Sequence, residues 1–221
     1  MVLPAGVTCD KCNSYFGSKV ESEALREFPL NLARLFYSIP TKKGGCIKIE
    51  VGEGVLKPSG NSRYLGLDPT EWVSDAHVST GGEVRLDAEP SGGWRGMTLA
   101  RGCLCRMLLK MGVELIASEF PERARSSEFA VARETARAPR TGRQWTYHIA
   151  VSPHWHQEIT SGLTFNDYLE SVELSIRESE WGSAFVLEAR GFNLMVPLFE
   201  HIPDPEASIW GPWEFYVMVN F

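Results

Sequence analysis

The sequence predicts an α+β protein in which central helices are followed by an antiparallel C-terminal β-sheet. Three patterns carry that expectation. Apolar residues recur every three or four positions through residues 97–120, the period of a helix. From Arg143 onward the period changes to two, as on half-buried strands. No helix-length pattern separates those strands, and short connections are what antiparallel pairing allows.

The 221 residues suit one large domain or two small ones. The order of patterns divides the chain into 1–40, helices, 41–142, mixed strands and central helices, and 143–221, the sheet region. Apolar residues make up 43% and charged residues 23%, enough for a sizeable core without staples. No apolar run reaches the roughly 18 residues a membrane span needs. The first residues lack the basic start and apolar stretch of a signal peptide. Five cysteines form no regular framework, which points to a reducing, cytoplasmic compartment. A net charge of −6 argues against indiscriminate nucleic-acid binding and leaves room for a local basic face.

In chain order, Lys19–Leu25 reads as a helix beginning close behind Cys12. Leu25, Phe28, Leu32 and Leu35 or Phe36 recur at helical spacing, and Pro29 divides the run into two pieces. Ile47, Ile49 and Val51 alternate with Lys48 and Glu50 as a strand, Gly52–Gly54 turns, and Val55–Lys57 returns. Val84 and Leu86 suggest another strand, closed by the punctuation of residues 89–93. Met97–Phe120 is the most apolar helix, expected at the centre of the core, with Lys110 and Glu114 paired one turn apart. Cys103 and Cys105 within it face about 200° apart, so they suit packing better than one shared metal ion. A helix over Glu128–Arg137 is expected to be capped by Ser126 or Ser127 and ended by Pro139.

The sheet elements follow. Trp145, Tyr147, Ile149 and Val151 alternate with polar or small residues, as do Val172, Leu174 and Ile176. Ser183–Glu188, Phe192–Val196 and the alternation from Trp213 to Phe221 complete the set.

The chemistry-bearing stretch is Cys9-Asp10-Lys11-Cys12-Asn13, followed by Tyr15-Phe16-Gly17. Two thiolates spaced C-x-x-C can hold one tetrahedral zinc from one side. An unrelated zinc or redox knuckle and a pair of ordinary thiols are the alternatives. A redox pair usually follows a strand, and no good strand precedes Cys9. The C-x-x-C-Asn run feeding a helix resembles the second half of the HNH endonuclease family, in the subgroup whose two knuckles share a structural zinc. The close resemblance covers residues 1–28, with Met1–Pro4 similar to the tail of the family's His-x-x-Pro segment. It implies a zinc-knuckle and helix remnant at the front of the α+β fold, with Cys9 and Cys12 as zinc ligands. It also implies Asn13 as a ligand to the catalytic Mg or Mn ion. The family's first knuckle and its general-base histidine have no counterpart here, so the expectation is an N-terminally truncated chain that does not cleave DNA.

A basic run surrounds the helix after residue 127: Arg123, Arg125, Arg133, Arg137, Arg140 and Arg143. Arg133 and Arg137 lie one turn apart, and with Arg140 they are the candidate grip on successive DNA phosphates. The bland account is a solvated face paired with Glu128 and Glu134. His154 and His156 share a side of an extended segment, but only Glu158 stands near them in sequence. His77 after Asp75 and the lone Cys46 have no companions. The alternative function is a non-catalytic binding or regulatory protein that kept the sheet.

Overall fold

A computed structural model describes residues 9–27, 29–37, 39, 41, 43–45, 49–51, 54–56, 84–88, 94–98, 102–138, 144–151, 170–179, 182–199 and 216–220. Helices lie beside an antiparallel sheet, the α+β class the sequence predicts. The first helix, α1, spans Asp10–Phe16 and runs through a π-helical turn, Gly17–Glu21, into α2, Ser22–Ala24. Helix α3 is Leu30–Phe36. Pro29 stands immediately before α3, whereas the first helical run, expected to end there, already ends at Ala24. The helix begins nine residues earlier than Lys19, because Cys9 rather than a later residue supplies the N-cap. The C-x-x-C pair is therefore the opening turn of a helix, not a turn that precedes one.

Strands β1 (Ile49–Val51) and β2 (Gly54–Leu56) form a hairpin with Ile49 opposite Leu56. The main sheet has the order β3-β4-β5-β8-β7-β6, with β9 also on β5. Its strands are β3 Val84–Ala88, β4 Trp94–Thr98, β5 Gln144–Val151, β6 Glu173–Ser179, β7 Gly182–Ala189, β8 Phe192–Pro197 and β9 Tyr216–Asn220. Every pairing is antiparallel. His148 pairs with Met195 of β8 and with Tyr216 of β9, so those strands take opposite edges of β5.

Helix α4, Cys103–Glu119, is the central helix. It starts six residues later than Met97, because Met97 and Thr98 pair with Arg85 and Val84 in the sheet. Gly102 then turns the chain with φ 75°, a left-handed conformation that costs glycine nothing. The carboxylate of Glu27 accepts a hydrogen bond from Leu104 N at 3.4 Å, satisfying one of the donors that a helix start leaves open. Leu104, Cys105, Leu108 and Leu109 are wholly buried. Each such leucine contributes about 1.5–3 kcal/mol of burial. The Lys110–Glu114 pair forms at 2.8 Å.

Helix α5 is Pro121–Arg125, a 3₁₀ turn covers Ser127–Phe129, and α6 is Ala130–Arg137. Neither Ser126 nor Ser127 caps this segment through its side chain. One apolar core runs from Phe16, Val20 and Ala24 through α4 to Phe185, Leu194 and Leu198, so it draws on the first and last thirds of the chain. No helix among the described residues is long and apolar enough to cross a membrane.

Gly112 marks where α4 rests on β7. A methyl group there would stand 2.6 Å from Phe185 Cβ and 2.8 Å from Leu198 Cδ2. Gly112→Ala gains up to about 1 kcal/mol in helix propensity. It nevertheless forces the helix off the sheet, and overpacking costs about 1–3 kcal/mol. A net loss of about 1–2 kcal/mol in urea unfolding is expected; a more stable variant would show that the helix shifts freely.

Candidate functional site

Cys9 holds an extended conformation, φ −75° and ψ 152°, immediately before α1. That conformation turns its sulfur back over the helix start, where Cys12 N–H donates to Sγ at 3.3 Å. The Cys12 amide holds the Cys9 thiol below its ordinary pKa, helped by the Cys12 side chain and weakly by Arg137. Cys12 shows the opposite displacement: its hydrogen bond to Cys9, followed by burial, pushes its thiol up. Cys9 is exposed and Cys12 half-buried. Asn13 is exposed in the same turn.

The two cysteines border a groove of about 500 Å³ floored by Phe16, Val113 and Ala117. Lys110 and Glu114 line one part and Arg133 and Arg137 another. Burial works against the Lys110 charge, but Glu114 and Glu21 outweigh it and raise its pKa. The Lys110 ammonium also stands 5.4 Å from the Phe16 ring centroid.

The two expected phosphate-gripping arginines have different surroundings. Arg133 is half-buried and donates to the carbonyls of Ala124, Arg125 and Ser126, closing the end of α5. Arg137 is exposed, and among the described residues its guanidinium forms no ion pair. Arg123 is engaged by Glu128 at 2.9 Å and Glu178 at 2.8 Å. It also donates to Ser183, so this arginine ties the 3₁₀ turn to the β6–β7 edge. Arg140, Arg143, Cys46, His77, His154 and His156 lie outside the described residues.

Arg106 has a role the sequence reading did not assign. It lies on α4, 9% exposed. Its Nε donates to Ala136 O at 3.0 Å, and one terminal nitrogen donates to Arg137 O at 2.9 Å and Tyr15 Oη at 2.8 Å. Those carbonyls end α6 and would otherwise lack partners. Arg106 thus fixes α6 against α1 and sets Arg137 beside the thiols. The signal was an arginine between Cys105 and Met107 in the otherwise apolar stretch Cys103–Leu109.

Zinc calls for four ligands. Among the described residues, no group of three or more His, Cys, Asp or Glu side chains could hold one metal ion. Cys9 and Cys12 alone do not make a closed zinc site. Buried Cys105, whose thiol burial pushes well up, is chemically quiet. Compared with protein-family models, curated proteins and solved structures, the chain matches none of them.

Proposed function

We propose that this chain is a DNA-contacting protein of HNH descent that binds without cutting. The observation that carries the reading is the C-x-x-C-Asn run on the opening turn of α1, with Arg137 held beside it. In the HNH pattern the asparagine helps to hold a Mg or Mn ion, and Asn13 occupies the matching place. The general base belongs before it, and residues 1–8 contain no histidine. What the site retains is positioning: a cation at the rim of a groove can contact a phosphate. Zinc, in this reading, would rest on Cys9 and Cys12 and need further ligands. A non-catalytic binding or regulatory protein without DNA is the competing reading, favoured by the arginines already committed to carbonyls and carboxylates.

Fluorescence anisotropy with duplex DNA at low salt tests the proposal. Binding is expected to be weak and steeply salt-dependent. Arg137→Ala should lower affinity alike on all sequences and flatten the log–log salt slope by about one. Plasmid nicking with Mg²⁺ or Mn²⁺ should stay at background. No binding by the unaltered chain, or an unchanged slope in Arg137→Ala, sinks the DNA reading and favours the competing one.

A further inference from the structure

We propose that Cys9 and Cys12 form a redox-active dithiol that reduces anionic low-molecular-weight disulfides at the mouth of the α1–α6 groove. The inference goes beyond DNA contact and does not depend on it. Four observations carry it. The two thiols share one helical turn, and the Cys9 sulfur already lies 3.3 Å from the Cys12 amide. Their exposure is asymmetric, so an incoming molecule reaches Cys9 before Cys12. The groove beside them has an apolar floor and about 500 Å³ of space, room for a peptide-sized thiol compound. Arg137 stands at that groove with no ion pair among the described residues, ready for a carboxylate.

The reaction balances without any group bound to the protein. The Cys9 thiolate attacks one sulfur of the disulfide; a Cys9–S–S–R bond forms, and the first RS⁻ leaves and takes up a proton from water. Cys12, losing its proton to solvent, then attacks Cys9 Sγ; the intramolecular Cys9–Cys12 bond forms and the second RS⁻ leaves. The protein dithiol is oxidised by two electrons and RSSR is reduced to two RSH. The Cys12 amide that faces Cys9 Sγ stabilises the attacking thiolate in the first step and the departing one if the cycle runs backward.

The experiment uses the full chain, reduced, freed of adventitious metal by chelation, and treated with oxidised glutathione or with cystamine, which is cationic. Intact-mass and peptide-mapping mass spectrometry should show Cys9–Cys12 closed, with the loss of two hydrogens. Cys12→Ser should accumulate one glutathione adduct on Cys9, whereas Cys9→Ser should form adducts at least about tenfold more slowly. Arg137→Ala should slow reaction with oxidised glutathione severalfold and leave cystamine unaffected or faster. Both cysteine variants change exposed or half-exposed side chains, and circular dichroism checks their folding. The dithiol assignment is overturned by absence of the Cys9–Cys12 bond, by equal reactivity of the two thiols, or by chelator-resistant stoichiometric zinc that shields both. Equal slowing of both disulfides by Arg137→Ala overturns the preference for anions. Because Cys9→Ser and Cys12→Ser leave Arg137 in place, loss of thiol chemistry in them is separable from loss of DNA binding.

Discussion

Arg106→Met is expected to lower the urea unfolding free energy by about 3 kcal/mol, with little change in the denaturant slope. Arg106 is 9% exposed, and its guanidinium serves three acceptors on two other helices: Ala136 O, Arg137 O and Tyr15 Oη. Hydrogen bonds from a charged group contribute about 1.5–3 kcal/mol each, and deleting the donor leaves two carbonyls at the end of α6 without it. The three are not additive, because they share one side chain. Methionine preserves most of the apolar stem, so the loss reports the polar head. Arg106→Lys should recover less than half, since an ammonium cannot present the forked geometry to acceptors on both α6 and α1. A loss below about 1 kcal/mol would mean that α6 finds other donors for its last carbonyls. The same variant should also detach Arg137 from its place, so the glutathione preference should weaken with it.

Acid should destabilise the protein between about pH 6.5 and 4, and most of that effect should vanish in His148→Phe. His148 is 3% exposed on β5, between Met195 of β8 and Tyr216 of β9. Burial pulls its pKa from 6.5 to about 4. The folded imidazole therefore stays neutral where the unfolded one takes a proton. Over that interval the unfolded chain binds more protons, so unfolding free energy rises with pH. The contribution is fully present above about pH 6.5 and lost as pH falls toward 4, amounting to at most about 3 kcal/mol. Glu178, whose pKa Arg123 holds below 4.5, also favours the fold above its unfolded value, but its share is lost at lower pH. The two windows are thus separable in a series of urea titrations. If wild type and His148→Phe lose stability in parallel from pH 6.5 to 4, the imidazole is not the group responsible.

Much of the architecture was legible because it is written in local periodicity. The alternations of Trp145–Val151 and Phe192–Val196 became β5 and β8, and Ile49–Val51 pairs antiparallel with Gly54–Leu56. Pro29 divides the helices where its missing N–H demands. Boundaries set by distant partners were harder to see. Met97 and Thr98 continue the apolar period of α4, yet Val84 and Arg85 draw them into the sheet. Ser126 has the chemistry of a cap, but its hydroxyl caps neither the 3₁₀ turn nor α6. At the site, the sequence identified Cys9, Cys12 and Asn13 as the chemical stretch and assumed a knuckle ahead of the helix. The helical start at Asp10 was obscured because cysteine is not a usual cap. Charge alone grouped Arg123, Arg133 and Arg137; only geometry separates a tie to the sheet, a helix closure and a groove-side cation.

The opening helical run has two faces with unequal duties. Phe16, Val20 and Ala24 are buried in the common core, while Cys9 and Asn13 stand in solvent. Replacing an inner-face residue costs stability whatever the protein does; replacing an outer one changes chemistry and leaves folding nearly untouched. Drift in descendants of this sequence is accordingly filtered by two separate criteria along a single helix. Where both thiols persist together across diverging lineages, it is use that retains them, since the cap that Cys9 supplies is met as well by Ser, Thr, Asn or Asp.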